Sequence, residues 1–154
     1  MPIKSMMVPL GDIDQDECAI GTALLLTQEF GGHVDCIFVS GDVSEIIPAG
    51  AMGLFESVQV QMNEEYDQGL GEKQTLARRR FEEMLAERNI EYRDSALPAE
   101  LSSASWEAVS GLASEIVAMR GAAYDMIVVS RPREDLTTVG ELAAEAALFR
   151  TGRP

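Results

Sequence analysis

The sequence predicts an α/β fold, a doubly wound parallel sheet sandwiched by helices. Three observations point to it. Met126 to Val129 is an unbroken apolar run that follows a helical segment and stops at Ser130-Arg131-Pro132. Such a run, without alternation, is the mark of a strand buried on both faces. Ile3 to Leu10 reads the same way and stops at Gly11. Amphipathic helical segments lie between the two, and strands joined through helices form parallel sheets. Ligands in that architecture sit beyond the carboxyl ends of the strands, so the turns after Leu10 and Val129 are the places to search for chemistry.

The elements follow in order. The first strand is expected over 3–10 and a helix over 14–30, with Asp12 or Asp14 as its cap. Ala19, Ala23, Leu26 and Phe30 form its apolar stripe, and Gly31-Gly32 ends it. The second strand spans 33–40. A loop over 41–52 leads to Leu54, Val58, Met62, Tyr66 and Leu70, which recur at helical spacing and continue through Ala77, Phe81, Met84 and Leu85. This predicts one long helix or two stacked ones over 54–88, with a bend near Gly69. A short polar strand at 91–97 suits a sheet edge. Val109, Leu112, Ala113, Ile116 and Val117 predict a helix over 105–122; a fourth strand follows at 125–130 and a last helix at 138–149. No strand follows that helix. A fifth strand is therefore expected to be missing from this chain, and either the natural protein continues beyond Pro154 or this is a short version of it.

The 154 residues suit a single domain over 1–154. At 46% hydrophobic and 25% charged the composition is that of a globular protein. The amino terminus lacks the apolar core of a signal peptide, and no stretch reaches membrane-spanning length, so a cytoplasmic location and no membrane partner are expected. The formal charge of −14 argues against nucleic acid as a partner. Arg78, Arg79 and Arg80 fan around a helix beside Glu82 and Glu83 and form no basic strip. Cys18 and Cys36 read as small apolar residues rather than a redox pair.

Several constellations stop short of a known chemistry. Asp12-x-Asp14-x-Asp16 opens like a calcium loop, but Glu17 and Ala23 stand where an EF-hand needs Gly and Glu. The three acids serve better as a cap and as partners of a helix dipole. A phosphorylated receiver domain would need an acceptor Asp ending its third strand and a Lys ending its fifth; Asp94 lies inside the expected third strand, and Lys4 and Lys73 are the only lysines. His33, alone, reads as a surface or capping residue rather than a metal ligand, so no metal site is expected. Ser130 has no nucleophile-elbow context, and neither apolar strand is followed by a dinucleotide fingerprint. Arg131 and Arg133 could hold an anion, but Glu134 and Asp135 follow them and favour a local ion-pair cluster. Met52, Leu54, Phe55, Val58 and Met62 read as a helix face on the core, with an adaptable partner-binding face as the alternative.

Ile3-Lys4-Ser5-Met6-Met7-Val8-Pro9, Phe30-Gly31-Gly32-His33-Val34, and Trp106 with Asp125-Met126-Ile127-Val128-Val129 resemble, in order and spacing, the universal stress protein family. Arg150-Thr151-Gly152-Arg153-Pro154 is similar to the segment that introduces that family's fifth strand. The resemblance implies the universal stress protein / adenine nucleotide α-hydrolase-like fold: a five-stranded parallel sheet, and dimers that often form through the fifth strand. Members that bind ATP carry an Asp at the end of the first strand and a Gly-x2-Gly-x9-Gly-Ser/Thr run after the fourth. Here the first position falls at Gly11, with Asp12 one residue late; the others fall on Ser130, Arg133, Ala143 and Ala144. The chain thus resembles the group without the ATP motif, or a degenerate half of a two-domain member. The resemblance implies a non-catalytic module acting in stress response or regulation through self-association, with no cofactor and no catalytic residue. Its partner would be a second copy or a second similar domain. If a ligand does bind at the carboxyl edge, Gly11, Asp12, Ser130, Arg131 and Arg133 are the candidates to hold it. The alternative is an adenine-nucleotide switch or slow ATPase with a remodelled phosphate loop.

Overall fold

The structure is a computed structural model that describes residues 3–40, 56–94, 102–131 and 139–152, with the backbone alone over 56–68. The chain runs β1 (Ser5–Leu10), α1 (Ile13–Phe30), β2 (Gly32–Ser40), α2 (Glu56–Arg88), β3 (Glu91–Tyr92), β4 (Ser102–Ser110), α3 (Ala113–Gly121), β5 (Met126–Ile127) and α4 (Val139–Arg150). The five strands form one sheet in the order β3-β4-β2-β1-β5. Every described pairing is parallel. From β1 the chain passes to β2, then to β3 at the edge, fills the place between them with β4, and returns to lay β5 on the other side of β1. The topological switch point therefore falls between β1 and β5, at the carboxyl ends that Leu10 and Ile127 approach.

Alternation along the strands divides the core into two layers. Met6, Val8 and Leu10 of β1 pack with Phe38, Phe81 and Trp106 under α1 and α2. Met7 points the other way, to Ile37, Val39, Ile116, Val117 and Ala143 under α3 and α4. Both faces of β1 are covered, which is why its sequence is apolar without a period. Phe81 lies against Trp106 with ring centroids 5.4 Å apart, and Phe38 stacks on the same indole at 6.0 Å.

Asp12 caps α1: its carboxylate accepts from the Asp14 amide at 3.0 Å. Gly31 ends the helix with φ 71°, and its N–H donates to Thr27 O at 2.8 Å. Gly32 follows with φ 118°, and a Cβ there would meet Lys4 O at 2.5 Å, so only glycine lets β2 start this close to β1. The helix expected over 54–88 is a single helix from Glu56, continuous through Gly69 and Gly71. Arg78 pairs with Glu82 and Arg79 with Glu83, the neighbours the sequence suggested, while Arg80 meets Glu17 of α1 at 2.6 Å as well as Glu83 and Glu87. Cys36 is buried in β2, whereas Cys18 is exposed on α1. The group Met52, Leu54, Phe55, Val58 and Met62 lies outside the residues whose side chains are described.

Two expectations are corrected together. The segment expected to open a helix at 105 is β4, which pairs with β2 over nine positions from Gly32↔Ser102 to Ser40↔Ser110. The helix starts only at Ala113, after Gly111 breaks the chain at φ 142°. The helical spacing of Val109 with Leu112, Ala113 and Ile116 ran across that break. With β4 present the sheet has five strands, and the fifth is not missing. The polar strand expected at 91–97 is β3, shortened to Glu91–Tyr92, exposed, and at the sheet edge as its polarity required. Asp94 lies beyond it rather than inside it.

Candidate functional site

At the switch point, β1 ends and the chain turns into α1 through Gly11 and Asp12. Backbone amides at such a turn, beside a helix amino terminus, suit an anion. Here they already have one. The Gly11 amide donates to Asp16 Oδ2 at 2.8 Å and the Asp12 amide to the same oxygen at 3.0 Å. Asp16 is 3% exposed, folded back from the first turn of its own helix. The Asp12 carboxylate faces outward and meets Lys73 Nζ at 3.7 Å, a solvent-screened contact. Above Gly11 stands the start of α4: a Cβ built on Gly11 would lie 2.5 Å from Val139 Cβ. The absence of a side chain at Gly11 lets the two elements touch.

On the β5 side, Ser130 Oγ is buried and has no hydrogen-bond partner among the described residues, while Arg131 is exposed. Arg133 lies outside the described residues. The structure thus brings Gly11 and Asp12 together in one turn, but that turn is saturated by Asp16.

A second polar cluster lies on the α3 face of the sheet, toward the amino ends of the strands. His33 and Asp35 alternate with apolar neighbours along β2, and Ser103 and Ser105 stand opposite them on β4. His33 Nδ1 lies 2.8 Å from Ser103 Oγ, and its Nε2 lies 3.0 Å from Asp35 Oδ1. Ser105 Oγ also donates to the Asp35 carboxylate. Partial burial works to raise the Asp35 pKa, but the donors that face it, His33 and Ser105 foremost and Tyr124 after them, outweigh it and hold the carboxyl below its usual range. Burial, with Asp35 alongside, pushes the Tyr124 phenol up. Alongside, Arg120 of α3 forks onto Glu107 of β4. On the β1 side, Asp125 Oδ2 accepts from the Lys4 amide at 2.9 Å, the Ser5 amide at 3.0 Å and Ser5 Oγ at 3.1 Å.

Ser103, His33 and Asp35 have the connectivity of nucleophile, base and acid. Ser103 is 0% exposed, however, within a nine-residue strand pairing. A hydroxyl that no substrate reaches cannot attack one, and this array ties β2 to β4. The reading of His33 as a surface or capping residue is corrected: it is 3% exposed inside β2.

Solved structures share this architecture. Universal stress protein UspA from Lactobacillus plantarum aligns with a TM-score of 0.65 at 11% identity, over 99% of this chain and 95% of that one. The fold is that of the universal stress proteins. A second structure, of the hypothetical protein MJ0577 and the subject of a structure-based assignment of biochemical function, aligns with a TM-score of 0.56 at 17% identity, over 100% of this chain and 94% of that one. No family model matches the sequence, and no curated protein matches it significantly. At these identities the likeness is one of fold. Among the described residues no helix of this universal stress protein fold is long and apolar enough to cross a membrane, and no group of His, Cys, Asp and Glu is placed to hold a metal ion.

Sequence reasoning found the switch-point turn but not its occupant. It read Asp16 as a helix-dipole partner, and only the folded turn shows the carboxylate reaching back to Gly11. Nor did it find the His33 cluster. The alternation of His33 and Asp35 with Val34 and Cys36 was an available signal, since it puts both polar groups on one strand face. The partners on β4 were hidden because that segment read as helix.

Proposed function

We propose that this chain is a non-catalytic module with the universal stress protein fold, acting in stress response or regulation through self-association, with a degenerate nucleotide site and no cofactor. One observation carries the reading: the amides of Gly11 and Asp12 are spent on the Asp16 carboxylate. A phosphate brought to that turn would have to displace a fixed carboxylate while sitting beside Asp12 and Asp14, at a cost in both hydrogen bonds and like-charge repulsion. The residues after β5 add to this. Ser130, Arg133, Ala143 and Ala144 stand where a phosphate cradle would have glycines and a hydroxyl, and side chains there keep a ligand from the backbone amides.

Self-association is supported by the sheet edge. Among the described residues β5 pairs only with β1, so one side of it is open to a second copy or a second similar domain. The net charge of −14 supports the exclusion of nucleic acid and anionic membranes as partners. A cytoplasmic location belongs to the same reading.

Thermal unfolding with ATP and AMP tests the nucleotide half. A flat response across millimolar nucleotide is expected, whereas a ligand at a hundred times its dissociation constant adds about 2.7 kcal/mol. A shift of that size establishes the alternative, an adenine-nucleotide switch or slow ATPase. The observation that favours that alternative is the buried Ser130 hydroxyl, which has no partner among the described residues. Sedimentation over a wide concentration range tests the other half, and a monomer at the highest concentration removes self-association.

A further inference from the structure

Three large apolar side chains stand mostly in solvent: Met119 at 75%, Leu148 at 74% and Phe149 at 79%, while no other described one exceeds 58%. All three lie on α3 or α4. Both helices cover the same face of the sheet, since Ile116 and Val117 share a core with Ala143 and Ala146, so their outer sides form one layer. We propose that this layer is a docking surface for a second copy of the chain, with the two α4 helices antiparallel across a two-fold axis. The inference rests on the self-association proposed above and gives it a contact besides the open side of β5.

The end of α4 is complementary to itself. It reads Glu145-Ala146-Ala147-Leu148-Phe149-Arg150. A two-fold axis midway along this run sets Glu145 level with Arg150 of the other copy, Phe149 level with its Ala146, and Leu148 level with its Ala147. Each large apolar group meets a small one, and each charge meets its opposite. Glu141 falls past the last turn of the other helix and meets no like charge on it. The two helix dipoles oppose each other in the same arrangement. Matched charges are needed here, because a net charge of −14 makes two copies repel at any surface that lacks them.

The fold holds these side chains where the pairing needs them. Between α3 and α4 runs a groove of about 270 Å³, with Leu142, Ala146 and Phe149 along it and Glu145 and Arg150 in its lining. A cavity of about 150 Å³ already accepts a benzene ring, so the groove has room for the Phe149 ring of the other copy. Arg150 Nη1 lies 3.5 Å from Ser114 O of α3, which keeps the guanidinium on the groove side of its helix. Glu145 and Arg150 stand about 7.5 Å apart along the axis, far enough for each to face the other copy. A contact centred on one helix from each copy is small, so a dissociation constant in the micromolar range is expected.

Sedimentation equilibrium across the micromolar range makes the test, on the wild type, Phe149→Ala, Glu145→Arg and the double variant Glu145→Arg/Arg150→Glu. Phe149 is 79% exposed, so its truncation leaves the core intact, and Trp106 emission checks that each variant is folded. Phe149→Ala is expected to weaken pairing about thirtyfold, the scale of an aromatic anchor. Glu145→Arg brings like charges together at both ends of the contact and is expected to weaken it about tenfold or more. The double variant reverses both charges and is expected to return to within about threefold of the wild type. A wild type that stays monomeric throughout removes self-association, and this contact with it. A wild type that associates no more tightly than either single variant overturns this contact alone and leaves the open side of β5 as the route. A double variant no tighter than Glu145→Arg also overturns the two-fold pairing.

Discussion

The Gly11 amide donates to the Asp16 carboxylate at 2.8 Å, so a backbone group placed to greet a ligand is answered by the chain's own side chain. Replacing Asp16 by Ala leaves the Gly11 and Asp12 amides without that acceptor in a partly buried turn. The expected loss is about 2–4 kcal/mol, from two unmade hydrogen bonds to a charged acceptor. Asp16→Asn keeps an acceptor oxygen and should lose less than half as much. Urea unfolding of the two variants makes the comparison, and equal losses would refute the role given to the carboxylate.

Gly11 and Val139 meet where β1 ends and α4 begins. A methyl at Gly11 would lie 2.5 Å from Val139 Cβ, too close for either to remain in place. Gly11→Ala should destabilise by about 1–3 kcal/mol through overpacking. Val139→Ala leaves the offending Cβ, so it should rescue little, whereas Val139→Gly should recover part of the loss. A double-mutant cycle with Gly11→Ala and Val139→Gly is expected to give a coupling of about 0.5–2 kcal/mol. Additive losses would show that the two residues do not share the space.

Trp106 is the only tryptophan and packs between Phe38 and Phe81. Phe81 is 0% exposed, so Phe81→Ala should cost about 3–5 kcal/mol, the range for deleting a buried aromatic ring. The same substitution should shift the tryptophan emission to the red as water reaches the indole. An unshifted spectrum would place the indole in a different environment.

Both ends of the pH scale should register the Asp35–Tyr124 contact. The Asp35 carboxyl titrates below its usual range in the folded chain, chiefly because the His33, Ser105 and Tyr124 bonds overcome the cost of burial. Its contribution to stability is therefore present above the unfolded value of about 3.9 and is lost as pH falls through the lower folded value. The Tyr124 phenol titrates above its usual range, first because it is partly buried and then because of Asp35. It favours the folded state below the unfolded value of about 10, and that contribution is lost as pH rises through the higher folded value. Tyr124→Phe should flatten the alkaline limb of a stability profile, and Asp35→Asn the acid limb. An alkaline limb unchanged in Tyr124→Phe would assign that limb to other groups.

The elements legible in the sequence are those whose pattern is produced by one element's own burial. The apolar run of β1, the stripe and Asp12 cap of α1, the helical stripe of α2, and the exposed polar edge at Glu91 all follow from local periodicity and capping. So does the lack of glycines at Ser130, Ala143 and Ala144. Tertiary structure alone decided the rest. Ser102–Ser110 is a strand because β2 offers it nine paired positions, and because His33 and Asp35 supply the hydrogen bonds that let Ser103 and Ser105 be buried. Serine has no strong strand preference, so nothing in the segment itself announced β4. Gly11 is glycine because Val139 arrives above it from the far end of the chain. A local pattern records which face of an element meets the core; which polar groups can be buried depends on partners that only folding brings within hydrogen-bond reach.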